Sequence, residues 1–157
     1  MALQFQKIKG KGWKSLTTKL CKKDDLDLLE LVDYNPTKYP FLLESSSRGN
    51  KRNRFSILFY KPKFLIKKEK ENNVNFLNEF DRLWKSENLN QEKTIINKKT
   101  IPFTGGWFVY LGYEMASEVE PKLKIPKSPF AFPTAFAARV KSAIIFDHID
   151  REFFIIS

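Results

Sequence analysis

The stretch Tyr39-Pro-Phe-Leu-Leu-Glu-Ser-Ser-Ser-Arg-Gly-Asn-Lys-Arg-Asn-Arg-Phe-Ser-Ile-Leu-Phe-Tyr60 runs apolar, polar with a glycine, basic, then apolar again. Two strand-like runs flank a loop, and the first run finishes on Glu44 and three serines. One reading is a plain strand end, because Ser, Gly and Asn are turn formers. A second is that the strand carries Glu44 and Ser45 to a pocket wall. The rest of the chain decides what surrounds this pair of strands.

Outward from this stretch, the periodicity assigns further elements. LQFQKIK (3–9) alternates as a strand. DDLDLLELVD (24–33) opens on acids and repeats Leu at helical spacing, so it forms a short helix stopped before Pro36. PFLLES (40–45), RFSILFY (54–60) and KFLIKK (63–68) are strands. NVNFLNEFDRLWKS (73–86) places Phe76, Leu77, Phe80, Leu83 and Trp84 on one helical face, with Asn72 or Asn73 as cap. Gly105-Gly106 opens a strand through Tyr110, Gly112 breaks it, and Tyr113 to Glu120 makes a short helix ended by Pro121. After the proline-rich loop 121–133, AFAARVKSAIIFD reads as one long strand, 148–151 as a turn, and the remainder as a returning strand. The fold class expected is α+β, mainly antiparallel sheet with two or three helices packed on it. No repeat or linker divides the chain, so 1–157 is read as a single domain. Its last residues fall within a strand, which is expected of the N-terminal part of a longer polypeptide.

Composition bounds the function. At 157 residues with 42% hydrophobic content, the chain is long and apolar enough for a real core, and fifteen Phe favour aromatic packing on strands. One Cys excludes an internal disulfide and fits a reduced, cytoplasmic setting. No apolar run spans a membrane and the N-terminus has no signal-peptide core. The net charge of +10 raises nucleic acid as a partner. The lysines are scattered, however, and the densest cluster, KPKFLIKKEKENN (61–73), is interrupted by Glu69 and Glu71, as in a solvated basic face.

No self-sufficient active site emerges. One His and one Cys cannot make a zinc site, Cys21 lacks a nucleophile signature, and His148 sits in the hairpin turn. GKGWKS (10–15) lacks the spacing of a phosphate loop, and Gly105-Gly106 does not match a dinucleotide fingerprint. Gly105, Gly106 and Gly112 are read as structural, for turns or close backbone approach. No catalytic residue, metal ligand or cofactor site is assigned within the chain.

Three motifs in order, YPFLLESSSRGNKRNRFSILF (39–59), PFTGGWFVYLGYEMASEVEP (102–121) and SAIIFDHIDREFFII (142–156), resemble the N-terminal domain of the chorismate-utilising enzymes. These include anthranilate synthase component I and aminodeoxychorismate synthase component I. The resemblance covers residue 24 or so to the end. The forms RFSILF and GGWFVYLGYEMASEVEP look closer to the aminodeoxychorismate branch, which makes 4-amino-4-deoxychorismate for 4-aminobenzoate and folate. The resemblance implies that catalysis, with its Mg2+, belongs to a C-terminal domain of a larger two-layer enzyme, with a glutamine amidotransferase subunit as partner. It implies that this domain supports the catalytic one and lines a tryptophan pocket through Glu44, Ser45 and Phe55, with Arg54 (or Arg52) offering charge to a carboxylate. A zwitterionic ligand needs an acceptor, a donor and an apolar wall, and this stretch holds all three. A stand-alone amino-acid-binding module is the reading from another class, and a basic nucleic-acid-binding domain is a third.

Overall fold

The computed structural model describes residues 5–8, 16–19, 27–45, 53–70, 74–87, 95–96, 99–126 and 128–157. The architecture is α+β, with antiparallel sheets and three helices. Contacts group the chain into two compact units, 1–62 with 93–106 and 140–157, and 63–92 with 107–139.

The first unit is a six-stranded antiparallel sheet built from β1 (Phe5–Ile8), β2 (Leu16–Lys19), β3 (Phe41–Leu43), β4 (Phe55–Tyr60), β10 (Ser142–Asp147) and β11 (Glu152–Ile156). Its order is β1-β2-β11-β10-β4-β3. Strands β10 and β11 form the predicted hairpin around the turn at 148–151, with Asp147 opposite Glu152. Helix α1 (Leu28–Tyr34) starts at Asp27, whose carboxylate accepts the Leu29 N–H at 2.8 Å. It ends one residue before Pro36, at the Asn35 cap. Its Leu28, Leu31 and Val32 pack with Leu42, Leu58, Ile144, Phe146 and Phe153 of the sheet. Residues of the opposite parity, among them Phe59, Ile145, Phe154 and Ile156, are buried as well. That accounts for the nearly unbroken apolar runs of β4 and β10.

The second unit holds β5 (Lys63–Lys68), β8 (Gly106–Leu111) and β9 (Ala135–Val140) in the order β5-β9-β8, with helix α2 (Phe76–Ser86) against it. Phe76, fully buried, Leu77, Phe80 and Leu83 pack on Ile66, Ala135, Ala137, Met115 and Trp107. The 3-10 turn Tyr113–Met115 runs into α3 (Ala116–Val119), which stops before Pro121 as expected. A short ladder, β6 (Ile95–Ile96) with β7 (Lys99–Thr100), completes the described elements.

Three differences from the sequence reading have physical causes. The cap of α2 is Asn75 rather than Asn72 or Asn73, because its side-chain oxygen reaches the Asn78 N–H at 3.0 Å. The run 135–147 is two strands, not one: Lys141 separates β9 from β10, which belong to different sheets. Strand-like residues on both sides of Lys141 hide this break, which only the partners of each half reveal. Strand β2 was not anticipated, and its Thr-rich segment pairs with both β1 and β11.

The glycines divide by role. Gly105 takes φ 117°, a conformation open to glycine and strained for other residues. Gly106 has ordinary backbone, and a Cβ there would touch only the Phe103 ring at 3.4 Å. At Gly112 a Cβ would come within 2.8 Å of the Thr134 carbonyl oxygen, which accepts the Gly112 N–H. Gly105→Ala and Gly112→Ala are each expected to lower stability by roughly 1 to 3 kcal/mol. Urea denaturation of both variants checks this, and an unchanged midpoint removes the backbone role.

Candidate functional site

The ladder between β3 and β4 ends at Leu43 opposite Ile57. Two residues later the chain is held by side chains instead. The Ser45 N–H donates to Ser56 Oγ at 3.1 Å, and the Ser45 hydroxyl donates to the Phe55 carbonyl at 2.8 Å. Ser45 therefore replaces sheet bonds with hydroxyl bonds just where the strand leaves its neighbour. Its hydroxyl hydrogen is spent on Phe55, so what Ser45 Oγ has left to offer is acceptor capacity. Glu44, beside it, is exposed and is a second acceptor when ionised. Phe55 is half-buried, with the Arg54 guanidinium 5.1 Å over its ring.

Behind this strand end lies a buried polar cluster. Ser56 is 2% exposed and its Oγ lies 2.7 Å from His148 Nε2. The His148 N–H donates to the Arg54 carbonyl, and the imidazole meets the Phe146 ring edge-on at 4.8 Å. A serine and a histidine at this distance match a nucleophile with its base. Here the serine is closed to substrate and already accepts an amide, so the pair is structural.

Arg54 bonds to carboxylates of its own chain. Its Nε and a terminal nitrogen hold Asp147 at 3.0 and 2.7 Å, and that terminal nitrogen also reaches Asp150 at 2.6 Å. Asp147 is fully buried and accepts the N–H groups of Ile149 and Asp150 too. Burial alone would push its carboxyl up. The Arg54 guanidinium and the two amides outweigh burial and hold it below the usual carboxylate range. Register explains the meeting: Phe55 stands opposite Asp147 across the β4–β10 pair. The sequence signals were a carboxylate closing an apolar strand at Asp147 and an arginine opening another at Arg54.

The structure thus brings Ser45, Phe55 and Arg54 together at one end of β3 and β4, with Glu44 adjoining. Arg52 and Cys21 lie outside the described residues. A separate hollow of about 640 Å³ in the second unit, lined in part by Asn75, Asn78, Glu79 and Arg82, includes none of the expected site residues. Among the described residues no group of three or more His, Cys, Asp or Glu is placed to hold a metal, and no helix is long and apolar enough to cross a membrane.

No protein-family model matches the chain. The chain is similar to anthranilate synthase component 1 of Leptospira biflexa, 28% identical over 138 residues. The match covers 85% of this chain but 29% of that protein, so the chain spans less than a third of this relative's length. The similarity supports the chorismate-utilising group that the three motifs resemble.

Proposed function

We propose that the chain serves as the N-terminal domain of a chorismate-utilising enzyme and contributes one wall of a tryptophan pocket at the end of β3. The observation that carries this is the ordered set of three motifs, supported by similarity over 85% of the chain. In this reading Glu44 and Ser45 accept hydrogen bonds from the ammonium end of the amino acid, and Phe55 supplies apolar wall. Arg54 lends positive potential while remaining tied to Asp147. Chorismate, Mg2+ and the amidotransferase partner are engaged elsewhere in the complete enzyme, in the cytoplasm.

The motif forms favour amination of chorismate to 4-amino-4-deoxychorismate. A second reading, anthranilate synthesis, is favoured by the similarity to anthranilate synthase component 1. Affinity-tagged chain recovered from its source, with whatever it is joined to, separates the two. Incubation with chorismate, ammonia and Mg2+ yields fluorescent anthranilate in one case. In the other the product yields 4-aminobenzoate after lyase treatment. Chorismate left unconsumed would overturn both. The purified 157-residue chain alone is expected to turn over no chorismate and to bind tryptophan weakly or not at all in calorimetry. Product from the chain alone would move catalysis into it.

A further inference from the structure

We infer that His148, the single histidine of the chain, is a positioning residue that fixes Ser45 through the hydroxyl of Ser56. The ligand role of Ser45 rests on the pocket proposed above; the positioning rests on the hydrogen bonds alone. Ser56 Oγ accepts the Ser45 N–H, so its own hydrogen needs an acceptor. Ser56 is 2% exposed, and a buried hydroxyl left without one is unfavourable. Among the described residues His148 Nε2, at 2.7 Å, meets that need. The imidazole therefore carries its hydrogen on Nδ1 and accepts at Nε2. Its backbone bond to the Arg54 carbonyl and its contact with Phe146 hold the ring in place. The chain of donors then runs one way, from the Ser45 amide to Ser56 and from Ser56 to His148.

Protonation of Nε2 reverses the last link. Ser56 would face two donors, its hydrogen would lose its acceptor, and the bond to the Ser45 amide would weaken. Ser45 is therefore held in place by a residue two hydrogen bonds away.

Amide hydrogen exchange and 15N chemical shifts of the whole chain test this. In His148→Gln the side-chain carbonyl takes over as acceptor for Ser56, so Ser45 keeps its protection. His148→Ala and Ser56→Ala should each speed Ser45 exchange roughly tenfold relative to the buried Ile145 amide, as expected for one lost bond. Unchanged Ser45 exchange in both variants overturns the inference. So does acceleration of Ser45 and Ile145 in step, which marks a global loss of stability. Tryptophan titrated into the complete enzyme reports separately on the pocket. A complete enzyme that ignores tryptophan while Ser45 follows His148 removes the pocket and leaves the positioning standing.

Discussion

Asp147→Ala is expected to lower the unfolding free energy by roughly 3 to 5 kcal/mol, the range for removing one partner of a buried ion pair. The carboxylate is fully buried and takes five bonds, three from Arg54, whose Nε reaches both oxygens, and one each from the Ile149 and Asp150 amides. Alanine leaves two amides and a guanidinium without their acceptor. Arg54, with its side chain 28% exposed, keeps Asp150 and some water, which places the effect toward the lower end. The pH dependence follows from the sign of the shift. Because the Asp147 carboxyl is held below the usual range in the fold, its contribution is complete above the unfolded carboxylate range. It is lost as pH falls through the lower folded value. Urea unfolding between pH 7 and pH 2 should show wild-type stability declining in acid and a shallower decline in the variant. Parallel curves would show that Asp147 does not titrate in that window.

Glu118→Ala should cost roughly 2 to 4 kcal/mol, by loss of a half-buried, charge-assisted network at a helix start. The Glu118 carboxylate accepts the N–H groups of Phe76 and Leu77, both at 3.1 Å, and pairs with Lys68. These amides open α2, where the backbone has no internal acceptors and the helix end is positive. Lys68 also donates to the Val74 carbonyl at 2.6 Å, which fastens the chain entering the helix to β5. Burial would raise the Glu118 carboxyl. Lys68 and the two amides prevail and lower it, so this tie, too, weakens in acid. Glu118→Gln keeps one acceptor oxygen without the charge and should fall between wild type and alanine. Hydrogen exchange at Phe76 and Leu77, set against β4 amides, locates the damage. A loss under 1 kcal/mol would mean that water replaces the carboxylate freely.

Elements made by one dominant pattern were legible in the sequence. Strand β5 falls on Lys63–Lys68 as read, α2 carries its apolar face on Phe76, Leu77, Phe80 and Leu83, and the β10–β11 hairpin turns at 148–151. What stayed hidden depends on partners distant in sequence. The end of β3 looked like turn chemistry, and its serine does act on backbone, but on the backbone of Phe55 and the hydroxyl of Ser56. Asp147 looked like the last residue of a strand, because nothing local announces an arginine 93 positions away. The switch of sheets at Lys141 leaves no trace in periodicity when strand-like residues stand on both sides. Of the expected site residues, the proximity of Ser45, Phe55 and Arg54 followed from the hairpin-like pairing of β3 and β4. The commitment of Arg54 to Asp147 did not.

The place of β10 in its sheet bears on how the chain is made. A ribosome delivers β1 to β4 early, yet β4 bonds to β10 and β2 to β11. The strands between these pairs are the last of this sheet to be synthesised. Until they emerge, β2 and β4 have unpaired edges and α1 lacks Ile144, Phe146 and Phe153 beneath it. Folding of the first unit thus waits until residues 142–156 have left the ribosome. A stalled nascent chain lacking residues 142–156 should expose β4, with its FSILFY sequence, to chaperones or to other copies.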